Sequence, residues 1–210
     1  SVKMDTYLQA VPLQLEDKPE ISLNISGQKF LYYRDYVSYL NGPDKEYKSK
    51  EIVFVGYGID DPNYSDYRSI NVKNKVVVAL GGEPKDKNDE YFINGKNKSK
   101  WSILRQEIDN KKRVARSNGA LAVIIIDNYL HGRYSERYRN SDLGYSEKRM
   151  TLSNNEENDL QVLLFPYKFK EFLSKDNLTF NMSFKKDIEK ISADNVAAII
   201  KGHEFPDEYV

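Results

Sequence analysis

Cysteine is absent from this chain, and with it go disulfides, thiolate nucleophiles, iron–sulfur clusters and cysteine-ligated zinc. Histidine is nearly as scarce. Only His131 and His203 occur, so a three-histidine zinc site is impossible and a Ser-His-Asp triad would have to use one of the two. No charge predominates either: lysine plus arginine and aspartate plus glutamate number 32 each, so nothing global draws the protein to nucleic acid or an anionic membrane. Long hydrophobic runs are also missing. Val76 to Leu80 and Leu121 to Ile126 fall far short of the roughly 20 residues that span a bilayer, so no membrane span and a soluble chain are expected. The first residues, Ser1 to Met4, have no signal-peptide core, which leaves export open.

What is present is a globular composition. The 210 residues fit one domain, or one domain with pieces of a neighbour at its ends, and 16 tyrosines supply apolar bodies with polar tips. No repeat at a solenoid or propeller period occurs.

Periodicity then predicts the elements. Ile21, Leu23 and Ile25 alternate with polar residues, which predicts a half-buried strand within 20–30 that ends at Gly27; 51–57 reads the same way. Val76 to Leu80 is continuously apolar and β-branched, the pattern of a central strand buried on both faces. Between Lys100 and Asn118 the apolar residues Trp101, Leu104, Ile108, Val114 and Ala115 take helical spacing, with Asn118-Gly119 as a stop. A second buried strand follows over 120–127, so strand, helix and strand make a βαβ unit in one sheet. The stretch 128–159 is polar, rich in tyrosine and arginine and weakly periodic, and reads as a long loop of the kind that carries function. Strands over 160–165, 178–184 and 195–201 and a short helix over 166–174 complete the reading. The fold class is α/β or α+β, with a mostly β core sheet or open barrel flanked by a few helices.

Several local patterns invite chemistry and are better read as structure. His203-Glu204 begins like a zinc-peptidase helix, but no histidine follows four residues on and Pro206 would break it. Gly56-Tyr57-Gly58 lacks a third glycine and a following helix, so a strand-end turn outweighs a dinucleotide site. Gly81-Gly82-Glu83-Pro84 could cradle an anion, yet its glutamate opposes one. Asp60-Asp61 reads as a solvated turn, and His131 and His203 as solvated histidines. Five Asn-x-Ser/Thr sequons begin at Asn24, Asn63, Asn97, Asn177 and Asn181.

Three segments together carry a resemblance. Residues 51–59 (EIVFVGYGI), Asp66-Tyr67, 70–78 (INVKNKVVV) and Gly82-Glu83-Pro84 form the first; 112–125, through Asn118-Gly119-Ala120, forms the second; 192–202 (SADNVAAIIKG) with 206–210 (PDEYV) forms the third. This ordered set resembles the protease-associated domain of secreted co-catalytic two-zinc aminopeptidases, the bacterial leucyl aminopeptidase and glutamate carboxypeptidase-like family. Residues 7–13 are similar to the segment by which that family leaves its catalytic domain. Asn71 and Asn74 stand where the family has aspartate and glycine, and 128–159 matches none of its motifs.

The resemblance implies a division into 1–19, leaving a parent catalytic domain, 20–190, the protease-associated domain, and 191–210, re-entering the catalytic domain before its metal ligands. It implies a non-catalytic accessory domain over the active-site mouth that shapes substrate access or protein contact. The alternative is a binding module of a catalytically inactive, receptor-like relative. No catalytic or metal residue and no cofactor are expected in this chain; two zinc ions would belong to the parent. The expected partners are that catalytic domain in cis and a peptide or protein substrate, in a secreted or periplasmic setting. Arg133, Tyr134, Arg137 and Tyr138 in the long loop are the candidate substrate-facing residues, as donors and stacking groups for a peptide.

Overall fold

The computed structural model describes residues 8–17, 19–38, 45–144, 148–152, 160–185 and 187–196. The chain runs β1 (Leu8–Asp17), β2 (Glu20–Ile25), β3 (Gln28–Phe30), β4 (Val37–Ser38), β5 (Lys45–Ser49), β6 (Ile52–Phe54), β7 (Asp60–Asp61), β8 (Tyr64–Ser65) and β9 (Val76–Leu80). It continues through α1 (Gln106–Ser117), β10 (Ala122–Ile126), α2 (Asn128–Gly144), β11 (Lys148–Leu152), β12 (Gln161–Phe165), a 3-10 turn at Tyr167–Phe169, α3 (Lys170–Leu173), β13 (Phe180–Lys185) and β14 (Ile188–Val196). The fold is mixed α/β with open sheets, and no closed barrel forms among the described residues.

The chain divides into two units: Ser1–Lys18 with Glu147–Asn155 and Asp187–Val210, and Pro19–Ser146 with Glu156–Lys186. The first holds a three-stranded antiparallel sheet in the order β11-β1-β14. Its strands β1 and β14 pair continuously from Leu8 opposite Val196 to Glu16 opposite Ile188, and the ribbon closes where the Asp17 N–H donates to the Asp187 carbonyl at 3.1 Å.

The second unit is built around a five-stranded sheet in the order β4-β12-β10-β9-β6. Strands β6, β9, β10 and β12 are parallel, and β4 is antiparallel to β12. Alternate residues of each strand face opposite ways. Val77, Ala79, Val123, Ile125, Val162 and Leu164 therefore meet Ile108, Val114 and Ala115 of α1 and Leu130 and Tyr134 of α2 in one core. Val76, Val78, Ala122, Ile124, Leu163 and Phe165 meet Leu23, Ile25, Phe180, Met182 and Phe184 in the other. These last belong to a four-stranded antiparallel sheet, β3-β2-β13-β5, whose outward residues Asn181 and Lys185 are exposed. Helices, parallel sheet and antiparallel sheet make three layers. The apolar runs carry no polar alternation because both their faces are covered.

The βαβ unit forms, with Val76 beside Ala122 in a parallel register. Two further expectations hold with detail added, and two are corrected. The strand expected to end at Gly27 does so: β2 stops at Ile25, and Ser26 and Gly27, with left-handed φ values of 48° and 85°, turn the chain into the hairpin partner β3. β9 lies inside the sheet and is covered on both faces, as expected, next to the middle strand β10. The helix expected from Lys100 starts only at Gln106, and Trp101, wholly buried, sits in the turns before it. The stretch 128–159 is not a plain loop, since it contains α2 and β11. The strand expected over 195–201 is seen only as the end of β14, and His203 and 206–210 lie outside the described residues.

Both departures from the resembled pattern are conservative in geometry. Asn74 holds φ at 60°, a conformation asparagine tolerates better than most residues where glycine is usual. The Asn71 side-chain oxygen accepts the Lys73 N–H at 3.1 Å, as the usual aspartate could.

Glycine is required at Gly58, where φ is 66° and an added Cβ would lie 2.8 Å from the Ala79 Cβ. Gly27 has a similar φ but open space around it. Gly58→Ala is expected to cost about 2–4 kcal/mol and Gly27→Ala about 1 kcal/mol, read as midpoint shifts in urea unfolding; equal costs would refute the tight packing at Gly58.

Candidate functional site

The four residues singled out from the sequence fall on α2 and divide between its faces. Leu130 and Tyr134 are buried against the parallel sheet, and Tyr138 packs on the same core. The two tyrosine rings lie 5.8 Å apart. Tyr134 is only 2% exposed, so its ring is a core element. Arg133 and Arg137, one helical turn apart, are exposed. The structure thus brings together Arg133 with Arg137 and Tyr134 with Tyr138, but not all four.

His131 and Ser135 are also one turn apart on α2, with Ser135 Oγ 3.3 Å from His131 Nε2. Ser135 is buried, and no carboxylate is hydrogen-bonded to the other ring nitrogen among the described residues. Burial holds His131 below the ordinary imidazole value, with Lys168 lowering it further and Asp35 opposing. Asp35 itself is committed: it accepts the Leu31 N–H at 2.9 Å and two guanidinium bonds from Arg34 at 2.8 and 3.1 Å. This is not a nucleophile with an oriented base.

The motif residues behind the resemblance build a rigid corner. Gly56 and Gly58 take φ values of 65° and 66°, and the Asp66 carboxylate caps the turn by accepting the Tyr57 and Ile59 N–H groups at 3.1 and 3.0 Å. Its other oxygen accepts the Tyr64 hydroxyl at 2.7 Å, and burial followed by that carboxylate raises the Tyr64 pKa.

Behind this corner lies a wholly buried lysine. Residues 107, 108, 111, 114 and 115 form the inward stripe of α1, and Lys111 projects from it to donate to three carbonyls: Tyr57 at 2.8 Å, Leu80 at 2.7 Å and Gly82 at 2.6 Å. Three acceptors match the three N–H bonds of an ammonium, which favours the charged form. Burial pulls the Lys111 pKa down to about 8, and Glu107, whose Oε1 lies 3.6 Å away, pulls it back up. Glu107 is raised, again chiefly by burial, while Lys111 and the Gly82 N–H at 2.6 Å lower it.

In front of the pair opens a cleft of about 710 Å³ at the carboxyl ends of β9 and β10. Gly81, Gly82 and Glu83 leave β9 on one side; Asp127, Tyr129 and Leu130 leave β10 on the other; Ser102, Ile103 and Leu104 approach α1. Asp127 caps α2 by accepting the Leu130 N–H at 2.7 Å, and only a glycine at 81 leaves room for its carboxylate. Glu83 is held by the Ser99 N–H and hydroxyl, both at 2.8 Å. The parallel strands follow one another in a single direction, so no reversal of strand order marks a cofactor crevice here. Among the described residues no three His, Asp or Glu side chains gather to hold a metal. Each of the three carboxylates in its lining accepts a backbone N–H: Glu107 from Gly82, Glu83 from Ser99 and Asp127 from Leu130. The glycine-rich β9 exit was visible in sequence, but its meeting with Glu107 and Asp127 was not.

Comparison with known proteins places little beside this geometry. No protein-family model matches the chain, and no curated protein does. Among solved structures, a zinc aminopeptidase from Bacillus subtilis is similar over 87% of this chain at 12% identity, with a TM-score of 0.45. A subtilisin-like protease from the Antarctic psychrotroph Pseudoalteromonas sp. AS-11 is similar over 83% at 12% identity, with a TM-score of 0.43. The chain spans 35% of the length of each. No helix among the described residues is long and apolar enough to cross a membrane.

Two outcomes follow from the buried groups. Lys111→Met leaves three carbonyls and Glu107 without their cation and is expected to cost about 3–5 kcal/mol in urea unfolding, part of which Glu107→Gln in the same chain restores. Asp35, held below its unfolded value of roughly 3.9 by Arg34 first, stabilises the fold above that pH, and the contribution is lost as pH falls through the lower folded value. Acid titration of Asp35→Asn should therefore show a shallower loss of stability below about pH 4 than the unaltered chain.

Proposed function

We propose that this chain is a non-catalytic accessory domain of the protease-associated kind, carried by a zinc aminopeptidase and shaping access to that enzyme's active site. The observation that carries the reading is the β1–β14 ribbon. The chain leaves this ribbon after Asp17 and returns to it at Asp187, a span that holds the second unit and also β11 of the first, and these two residues are hydrogen-bonded to each other. A unit whose ends meet in this way can be inserted into a host chain without displacing the host's own elements. The motifs that resemble the family lend further support, since they form the capped Gly56–Gly58 corner, the β9 strand and the α1–β10 step. The setting of such a parent is secreted or periplasmic, its two zinc ions lie outside this chain, and its substrate is a peptide or protein. Arg133 and Arg137, on the exposed face of α2, are the residues we assign to substrate contact.

The test compares the 210-residue chain with the longer reading frame that contains it. The longer protein is expected to hold about two zinc ions and to release aminoacyl anilides, while the chain alone does neither. In the longer protein, joining Asp17 to Asp187 by a short linker should preserve hydrolysis of the anilide and change its rate relative to long peptides. Hydrolysis by the 210-residue chain alone, or a longer protein without zinc, overturns the reading.

A further inference from the structure

The cleft between β9 and β10 has a graded lining that suits one kind of ligand. Part of its rim is apolar and exposed: Ile103, in the turns before α1, is 42% exposed and Tyr129, in the first turn of α2, 62%. Its floor is acidic. Glu107 is buried, Asp127 is half-buried, and Glu83 lies beside them. Of these carboxylates, Glu107 is paired with Lys111 at 3.6 Å and Glu83 is satisfied by Ser99, while Asp127 makes no salt bridge among the described residues. Against three carboxylates stand Lys111 beneath the floor and Lys98 on the exposed rim, so the cleft keeps an excess of negative charge. A second observation is independent of charge. The Ser102 hydroxyl oxygen, in the wall of the cleft, is buried without a hydrogen-bond partner among the described residues. A buried hydroxyl left unpaired is costly unless a ligand completes it.

We infer that this cleft is a docking site for a basic side chain of another polypeptide, with its aliphatic stem between Ile103 and Tyr129 and its cationic head on Asp127. The order of the lining decides this. A carboxylate set below an apolar rim needs a ligand whose charge stands several methylene groups away from its backbone, as in lysine and arginine. A bare metal ion would leave the rim unused and would find too few oxygen ligands at the floor. Affinity for one such side chain is modest, and a partner segment adds to it through neighbouring contacts.

The inference concerns this chain alone and stands or falls whether or not a peptidase body accompanies it. The test is a titration of the nitrogen-15-labelled 210-residue chain with Nα-acetyl-lysine methylamide, and separately with its uncharged counterpart, Nα-acetyl-norleucine methylamide. The lysine compound should shift the amide signals of Gly82, Ser102 and Leu130 saturably, and about tenfold more tightly than the norleucine compound. Asp127→Asn keeps an oxygen to cap the Leu130 N–H, so the fold is retained, and lysine affinity should fall about tenfold. Lys98→Met removes the opposing charge and should tighten lysine binding about twofold. Absence of saturable shifts at these amides, equal affinity for the two compounds, or unchanged lysine affinity in Asp127→Asn would each overturn the inference.

Discussion

Four parallel strands with both faces hidden from water impose most of what the second unit does. Each face of β9, β10 and β12 must be covered, and the two covers differ because the chain supplies different material for them. One is α1 and α2, which present Ile108, Val114, Leu130 and Tyr134; the other is a second sheet, which presents Leu23, Ile25, Phe180, Met182 and Phe184. Burial of this kind contributes roughly 25 cal/mol for each Å² of apolar surface removed from water. The cleft is a by-product of the same arrangement. Strands that all point one way release their loops at one edge, and there the exits of β9 and β10 meet the starts of α1 and α2.

Lys111 is the polar counterpart of that constraint. The chain must leave β9 through Leu80 and Gly82 and must turn at Tyr57, and each of these residues points a carbonyl into the interior. Buried carbonyls require donors. One ammonium supplies all three, and Glu107 one turn earlier offsets its charge. The pair therefore welds α1 to the edge of the sheet where the cleft opens. Its desolvation is costly, so it is better understood as fixing one geometry than as adding net stability.

Much of the fold could be read from periodicity. The runs at 76–80, 122–126 and 161–165 announced strands covered on both faces, and the alternation at Phe180, Met182 and Phe184 announced one covered on a single face. α2 was missed for a physical reason. Its inward stripe is Leu130, Tyr134 and Tyr138, with His131 and Ser135 beside it and a glycine at 132, so aliphatic residues scarcely mark it. Two signals would have found it: the spacing of four between 130, 134 and 138, and Asp127 as a residue able to cap the helix. The candidate site was less legible still. Arg133 and Tyr134 are neighbours in sequence, yet a helix turns them about 100° apart, and burial claims the tyrosine for the core.

By itself the sequence determined which chemistries are closed to this chain, where its buried strands lie and which glycines must turn. Composition excludes thiolates and a three-histidine metal centre outright, and hydrophobic period depends on nothing beyond near neighbours. Tertiary structure alone decided that residues 57, 80, 82, 107 and 111 share one buried lock, that Asp127 faces Gly81, and that Ile103 and Tyr129 line one cleft. These contacts join residues as many as 54 positions apart in the chain. No local pattern encodes them, because they arise only when both faces of a common sheet are covered at once.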